Sequence, residues 1–194
     1  MLAVVHQDRL ATILERALDP QQFLSPNGIR SMSAYHRDHP YTYRVHGTDH
    51  VVDYAPAESR NRMFGGNSNW RGPVWLPTNF LFVQALNSYA RFLGDTFVMP
   101  DPADPTGAAS LADIGDRMAR RLTGLMVRDE HGRRAVFGDN EYLQNDPHWR
   151  DLVPFYEFFD GDTGRGLGAS HQTGWTATVA LLLQFRGKLH FDRR

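Results

Sequence analysis

The segment that most constrains the fold begins at Pro77 and is predicted to be a helix that is apolar around most of its circumference. Gly94-Asp95 ends the pattern. One helical face is marked by Phe82, Ala85, Leu86, Tyr89 and Leu93, and it is widened by Leu81, Val83 and Phe92. A helix of this kind must be covered on several sides, so the sequence predicts that it is deeply buried.

Three other stretches also carry the helical spacing of apolar residues. The first spans about residues 5–18 and ends at Asp19-Pro20. The second opens at Ser110, which together with Asp113 resembles a capping box, and the third spans about residues 173–185. Their apolar faces are, in order, Leu10, Ile13, Leu14, Ala17 and Leu18; Leu111, Ile114, Met118, Leu122 and Leu125; and Trp175, Val179, Leu182 and Leu183.

The remaining segments predict loops and one β-hairpin. Two β-prone runs, 41–45 and 50–54, flank residues 46–49, an order typical of a hairpin. A surface linker is predicted around Pro100, Pro102, Pro105 and Gly107, and a long irregular stretch over 137–170. Since about four helices alternate with long loops and no βαβ unit is visible, the sequence predicts an all-α fold with a small hairpin insertion.

Composition excludes several classes of function. Among the 194 residues, 21 Lys and Arg balance 22 Asp and Glu without a basic block, which argues against nucleic-acid binding. The absence of cysteine excludes disulfides and thiolate chemistry. No apolar run approaches the roughly 20 residues of a membrane helix, so no membrane partner is expected. The first residues show neither a basic leader nor a cleavage site, which predicts a chain without a signal peptide and a cytoplasmic location.

The first candidate site is the loop over 65–75, GGNSNWRGPVW. Trp70 and Trp75 offer flat apolar platforms, while Asn69 and Arg71 offer several hydrogen-bonding groups. Sugars need this pairing, because their CH faces stack on aromatic rings and their hydroxyls need polar partners. The alternative is a packing loop whose tryptophans fill the core.

The second candidate is Glu157 in the run FYEFF over 155–159. Burial of a carboxylate among aromatic rings favours its protonated form, which is how enzymes tune a general acid or base. The alternative is a buried glutamate held by an arginine or by backbone donors.

Weaker signals do not predict a metal or a cofactor. The run 160–164, DGDTG, starts like a calcium loop, but the twelfth position is His171 instead of glutamate. His36, His39, His46 and His50 straddle a proline and a hairpin turn, which disfavours a shared metal. The polar run 140–151 is interpreted as a loop that satisfies its own backbone.

Three motifs together resemble the C-terminal part of glycoside hydrolase family 63, which includes processing α-glucosidase I, bacterial α-glucosidases and mannosylglycerate hydrolases. They are GGNSNWRGPVW (65–75), QNDPHWRD (144–151), and YEFF (156–159) followed by GRGLGASHQTGW (164–175). They occur in the family's order, and the similarity runs from Val4 to about Leu183.

The resemblance implies an (α/α)6 barrel and an inverting hydrolysis of α-glycosidic, above all α-glucosidic, bonds. It implies that Glu157 is the general base. The substrate-binding candidates are Asn69, Trp70, Arg71, Trp75, His171 and Trp175. The substrate is expected to be an oligosaccharide or a small α-glucoside, with no cofactor and no metal.

In the family, the general acid is an aspartate from an earlier segment, upstream of anything matched here. Residues 1–194 are therefore expected to form a partial catalytic domain, truncated at the N-terminus and inactive alone, whose partner is the missing upstream half. The alternative is a non-catalytic carbohydrate-binding or assembly module from the same family. A third interpretation, which the motifs favour least, is a purely helical interaction protein.

Overall fold

The structure is a computed structural model that describes residues 3–62, 68–102 and 104–184. It is a mixed fold, 38% helical and 18% strand, so the all-α prediction is wrong. The elements in chain order are α1 (Gln7–Ala17), β1 (Leu24–Ser25), β2 (Gly28–Ile29), β3 (Tyr41–Val45), β4 (Thr48–Val52), α2 (Leu76–Leu93), β5 (Val98–Asp101), β6 (Asp104–Ser110), α3 (Leu111–Gly124), α4 (Glu141–Asn145), β7 (Phe158–Phe159) and β8 (Gly166–Leu167). Short 3₁₀ turns lie at Ala34–Arg37, Gly94–Thr96, Ala135–Phe137 and Thr176–Thr178.

The strands form four two-stranded antiparallel sheets within the described ranges: β1 with β2, β3 with β4, β5 with β6, and β7 with β8. The predicted surface linker around Pro100 is the β5–β6 sheet instead, in which Pro100 pairs with Ala108. Proline is tolerated there because both strands of a two-stranded sheet are edge strands, whose outer side needs no N–H donor.

The hairpin and three of the predicted helices are confirmed. β3 and β4 join through His46 and Gly47, both with positive φ, as a two-residue hairpin turn requires. The second strand begins two residues earlier than predicted. Ser110 caps α3 as predicted: its Oγ accepts from the Asp113 N–H at 3.1 Å and donates to the Asp113 carboxylate at 2.8 Å.

The predicted last helix starts late. Its beginning is a turn followed by the 3₁₀ segment Thr176–Thr178, and α-helical structure covers only 179–184; residue 185 lies outside the described residues. The reason is tertiary: Thr176 Oγ1 donates to the carbonyl of Tyr156 at 2.6 Å, and the N–H of Gln172 donates to the carbonyl of Phe155 at 2.7 Å. These bonds hold residues 172–176 against the segment that carries Glu157.

The core lies between α2 and α3 and extends to α1. Its fully buried members include Leu14, Val74, Leu76, Val83, Leu86, Ile114, Met118 and Leu122. The expected deep burial of α2 is only partly correct, because the described elements cover one side of the helix while Leu81 is 65% and Phe92 52% exposed. No helix in the described residues has the length and apolar character needed to cross a membrane.

Asn79 fastens the β1–β2 turn to α2. Its Oδ1 accepts from the Ile29 N–H at 2.7 Å, and its Nδ2 donates to the carbonyls of Ile29 at 3.0 Å and Trp75 at 2.9 Å. The side chain is 1% exposed. Because the Asn79 side chain is buried, water cannot easily replace these bonds.

We expect Asn79→Ala to lower the free energy of unfolding by about 2–4 kcal/mol, because it removes three hydrogen bonds and leaves the part-buried N–H and carbonyl of Ile29 without this partner. That loss corresponds to a melting temperature lower by roughly 5–15 °C, which thermal unfolding followed by circular dichroism would measure. Ser88→Ala, at a half-buried position on the same helix, is the control and should change little. Equal melting temperatures for the two variants would contradict this role of Asn79.

Candidate active site

Two segments that are far apart in sequence are joined by a pair of backbone hydrogen bonds. The N–H of Val74 donates to the carbonyl of Phe159 at 2.8 Å, and the N–H of Phe159 donates to the carbonyl of Val74 at 2.9 Å. Val74 also forms an antiparallel bridge to Arg30. This arrangement places the tryptophan loop directly beside the glutamate segment, as a shared site requires.

The two segments also approach backbone to backbone through two glycines. A Cβ on Gly161 would lie 2.3 Å from the carbonyl oxygen of Gly72, closer than any real contact. Gly72 itself has φ +139°, and a Cβ there would lie 2.5 Å from the Tyr54 ring. Only glycine fits at these positions, so close packing explains both Gly72 and Gly161.

The aromatic side chains of the site form one cluster. The Trp70 ring stacks on Trp75 with centroids 4.1 Å apart, Trp75 stacks on Phe158 at 4.8 Å, and Trp175 meets Trp75 edge-on at 5.7 Å. Trp75 is 1% exposed and its Nε1 donates to the carbonyl of Asn69 at 3.0 Å, whereas Trp70 is 39% exposed. Trp75 therefore supports the cluster from inside, and Trp70 presents an aromatic surface to solvent.

Glu157 lies at the edge of this cluster with its carboxylate hydrogen-bonded on both oxygens. Oε1 accepts from Ser68 Oγ at 3.1 Å, and Oε2 accepts from the N–H of Ala169 at 3.3 Å. The residue is 7% exposed. Within the described residues, its donors are a hydroxyl and a backbone amide, which orient the carboxylate without an arginine.

Asn69 and Arg71 are both buried, at 0% and 1% exposure. The Asn69 amide is fully used: Nδ2 donates to the carbonyls of Ala55 and Ala57, each at 2.6 Å, and Oδ1 accepts from the Arg71 N–H at 3.1 Å. Asn69 thus shapes the loop.

The Arg71 guanidinium has one ion pair and a free edge. Its Nη1 donates to Asp53 Oδ1 at 2.7 Å. Nε and Nη2 are buried and have no acceptor among the described residues. These two nitrogens form one edge of the guanidinium plane, so they can donate in parallel to a group with two adjacent acceptors.

His171 and Trp175 lie where the chain leaves the glutamate segment. His171 is exposed and pairs with Phe155 in a parallel bridge. Trp175 is half-buried against the cluster, and its Nε1 is buried without a partner in the described part of the chain. Residues 65–67 of the predicted sugar loop lie outside the described residues, so the structure places the candidate side chains from Ser68 onward.

The structure adds a carboxylate that sequence reasoning missed. The N–H of Gly168 donates to Glu58 Oε1 at 3.4 Å, and the neighbouring Ala57 packs against the aromatic cluster. Glu58 is exposed and stands alone in a loop-rich stretch, without a motif or a period around it. No pattern in the sequence indicates its proximity to Glu157.

The aspartates of the acidic run 160–164 form hydrogen bonds and ion pairs that stabilise the turn. Asp160 Oδ1 accepts from the N–H groups of Asp162 and Thr163, and Asp162 accepts from Tyr54 Oη at 2.8 Å and from two arginines. Burial, helped by the bond to Asp162, raises the pKa of the Tyr54 hydroxyl well above its usual range. Both aspartates hold the turn.

Among the described residues, no group of three His, Asp or Glu side chains is placed to hold a metal ion.

Comparison with known proteins gives the same family as the motifs. The profile of the mannosylglycerate hydrolase MGH1-like glycoside hydrolase domain matches residues 1–176. An uncharacterized protein of Saccharomyces cerevisiae, YMR196W, is 50% identical over 182 residues, which are 93% of this chain and 17% of that protein. The chain thus spans about a sixth of the length of this relative.

Two more distant relatives carry a named activity. A probable mannosyl-oligosaccharide glucosidase of Schizosaccharomyces pombe is 26% identical over 186 residues, covering 94% of this chain and 16% of that protein. The mannosyl-oligosaccharide glucosidase of S. cerevisiae is 26% identical over 121 residues, covering 62% and 11%. The predicted relationship to glycoside hydrolase family 63 is confirmed. The chain belongs to the MGH1-like glycoside hydrolase family.

Proposed function

We propose that this chain carries the general base and a sugar-binding surface of an inverting glycosidase that cleaves α-glucosidic bonds in oligosaccharides. The observation that carries the proposal is Glu157, a buried and doubly hydrogen-bonded carboxylate that accepts from Ser68, two residues before the exposed Trp70. Two distant relatives are named mannosyl-oligosaccharide glucosidases, the Schizosaccharomyces pombe protein as a probable one, and these names support the substrate class.

In the proposed reaction, Glu157 accepts a proton from a water molecule. The oxygen of that water attacks the anomeric carbon from the face opposite the leaving oxygen, and a carboxylic acid donates a proton to the leaving oxygen as the glycosidic bond breaks. The proton transferred to Glu157 later returns to solvent. The family pattern assigns the acid to an aspartate outside the matched region, so this chain supplies one of the two carboxyl groups.

The orientation of Glu157 suits this role. Ser68 and the Ala169 amide each occupy one lone pair of the carboxylate, which leaves further acceptor positions on both oxygens for the attacking water. The bonds fix the side chain, so no rotamer freedom has to be lost when substrate binds.

Trp70 and Arg71 supply the binding contacts in this proposal. Trp75 covers one face of the Trp70 ring, and the exposed area of Trp70 is available for the CH face of a sugar. The Nε–Nη2 edge of Arg71 is buried, so it can donate to two adjacent sugar oxygens only after the residues that cover it move.

A second candidate function is a carbohydrate-binding module without turnover. The observation that favours it is the exposed ring of Trp70, which can bind the CH face of a sugar without a carboxylate. Such a module would keep the Trp70 contact and would not need Glu157 as a base.

We expect Trp70→Ala to weaken binding of an α-glucobiose by roughly threefold to tenfold, because one aromatic contact contributes about that much to the affinity. Isothermal titration calorimetry on the purified chain would measure the loss. Trp149→Ala is the matched control, since Trp149 is 46% exposed and its ring meets Tyr142. If both substitutions have the same effect, or neither has one, the aromatic cluster is not the sugar site.

We expect the chain alone to bind the disaccharide without hydrolysing it, and to gain activity when mixed with the preceding part of a longer family member. In that mixture, Glu157→Gln should lower kcat roughly 10²- to 10⁴-fold with little change in binding, because glutamine keeps the size and loses the basic oxygen. NMR of the first-formed sugar should show the β anomer.

Glu141→Gln, an exposed carboxylate paired with Arg133, is the control for this measurement. Sugar binding without recovered activity, when size-exclusion chromatography shows that the two pieces associate, would favour the non-catalytic module. Hydrolysis by the chain alone that disappears in Glu157→Gln would show that the acid lies within these 194 residues.

A further inference from the structure

We infer that Glu58 is a second carboxylate of this site, that it accepts hydrogen bonds from sugar hydroxyls, and that together with Glu157 it makes the site prefer uncharged over anionic sugars. The inference rests on the proposed sugar-binding function. It adds a residue and a substrate class: neutral sugars, as opposed to uronates and sugar phosphates.

Glu58 and Glu157 bind to adjacent amides of one short segment. The N–H of Gly168 donates to Glu58 Oε1 at 3.4 Å, and the N–H of Ala169 donates to Glu157 Oε2 at 3.3 Å. A Cβ built on Gly168 would lie only 2.7 Å from Glu157 Oε2. Because N and Cβ of one residue are about 2.5 Å apart, the two carboxylate oxygens are separated by no more than about 9 Å. One sugar residue can contact both.

The surroundings of Glu58 belong to the candidate site. Ala57, the residue before it, packs against the cluster of Trp75, Phe158 and Leu167, and its carbonyl accepts from the Asn69 side chain at 2.6 Å. The loop that carries Glu58 is therefore fixed to the tryptophan loop. Its carboxylate is exposed and has one hydrogen bond from the described residues, so most of its acceptor capacity is free.

In the proposed reaction the free lone pairs of Glu157 are kept for the attacking water, so a sugar hydroxyl needs another acceptor. The Asn69 amide, whose oxygen accepts from the Arg71 N–H, is fully buried, and Arg71 can only donate. Glu58 is an exposed acceptor that can take this hydrogen bond. We assign it to binding instead of proton donation because it is exposed, whereas catalytic acids are typically buried among apolar groups.

Two carboxylates at this distance also set the charge of the site. Asp53 pairs with Arg71 through one oxygen and with Arg60 through the other at 3.0 Å, so these three groups together leave one positive charge against the two glutamate carboxylates. An anionic group brought between Glu58 and Glu157 meets two negative charges at short range, while a hydroxyl meets two acceptors. The arrangement therefore selects for the uncharged sugar.

The test compares methyl α-glucoside with methyl α-glucuronide, which differ by one carboxylate. Affinities for both are measured by NMR titration of the full chain, following the indole N–H signals. Glu58→Gln keeps the size and removes the charge, and Glu58→Asp keeps the charge and shortens the reach. Glu130→Gln, whose side chain is 87% exposed next to His131, is the control.

We expect Glu58→Gln to bind the glucoside about 5- to 20-fold more weakly, because a charged hydrogen-bond acceptor is lost. Its preference for the glucoside over the glucuronide should fall several-fold. Glu58→Asp should lose affinity and keep the preference, and Glu130→Gln should change neither. Unchanged affinity and preference in Glu58→Gln, with the wild-type chain binding glucoside through Trp70, would overturn the role of Glu58 and leave the proposed function intact. Failure of the wild-type chain to bind either sugar would overturn both.

Discussion

The site depends on the pair of hydrogen bonds between Val74 and Phe159. Because side chains alternate along extended backbone, this register sets Trp75 against Phe158 and leaves Glu157 beside Ser68. A shift of one residue would turn Trp75 and Phe158 away from each other. The bridge holds because Gly72 and Gly161 allow the two backbones to approach more closely than any side chain would permit. The candidate site therefore depends on these two glycines as well as on Trp70 and Glu157.

The sequence predicted the parts of this molecule that are periodic or rich in special residues. α1, α2 and α3 followed from apolar spacing, and the hairpin at His46-Gly47 from β-prone runs around a turn. The strands Leu24–Ser25, Gly28–Ile29, Phe158–Phe159 and Gly166–Leu167 could not be found, because two residues are too few to show an alternation. The all-α prediction failed at those strands and at the β5–β6 sheet, where prolines suggested a loop.

The candidate site shows a similar division. The residue types in the two motifs identified the loop with Trp70 and the aromatic surroundings of Glu157. They did not show which of the site residues are exposed and which are buried. Trp75 and Asn69 are interior residues that shape the loop, and Arg71 is buried with a free edge. Glu58 was missed because only its three-dimensional position, next to Gly168, connects it to the site. Tertiary contact, which no local pattern encodes, decides these roles.

Glu157 receives its two hydrogen bonds from different parts of the chain, one from Ser68 in the tryptophan loop and one from Ala169 beyond β8. Its carboxylate is therefore oriented only when both parts have docked on the segment between them. A chain in which either loop is still unfolded holds Glu157 with its carboxylate unaligned. The geometry of this carboxylate is therefore conditional on completed folding of two loops that lie about 100 residues apart in sequence.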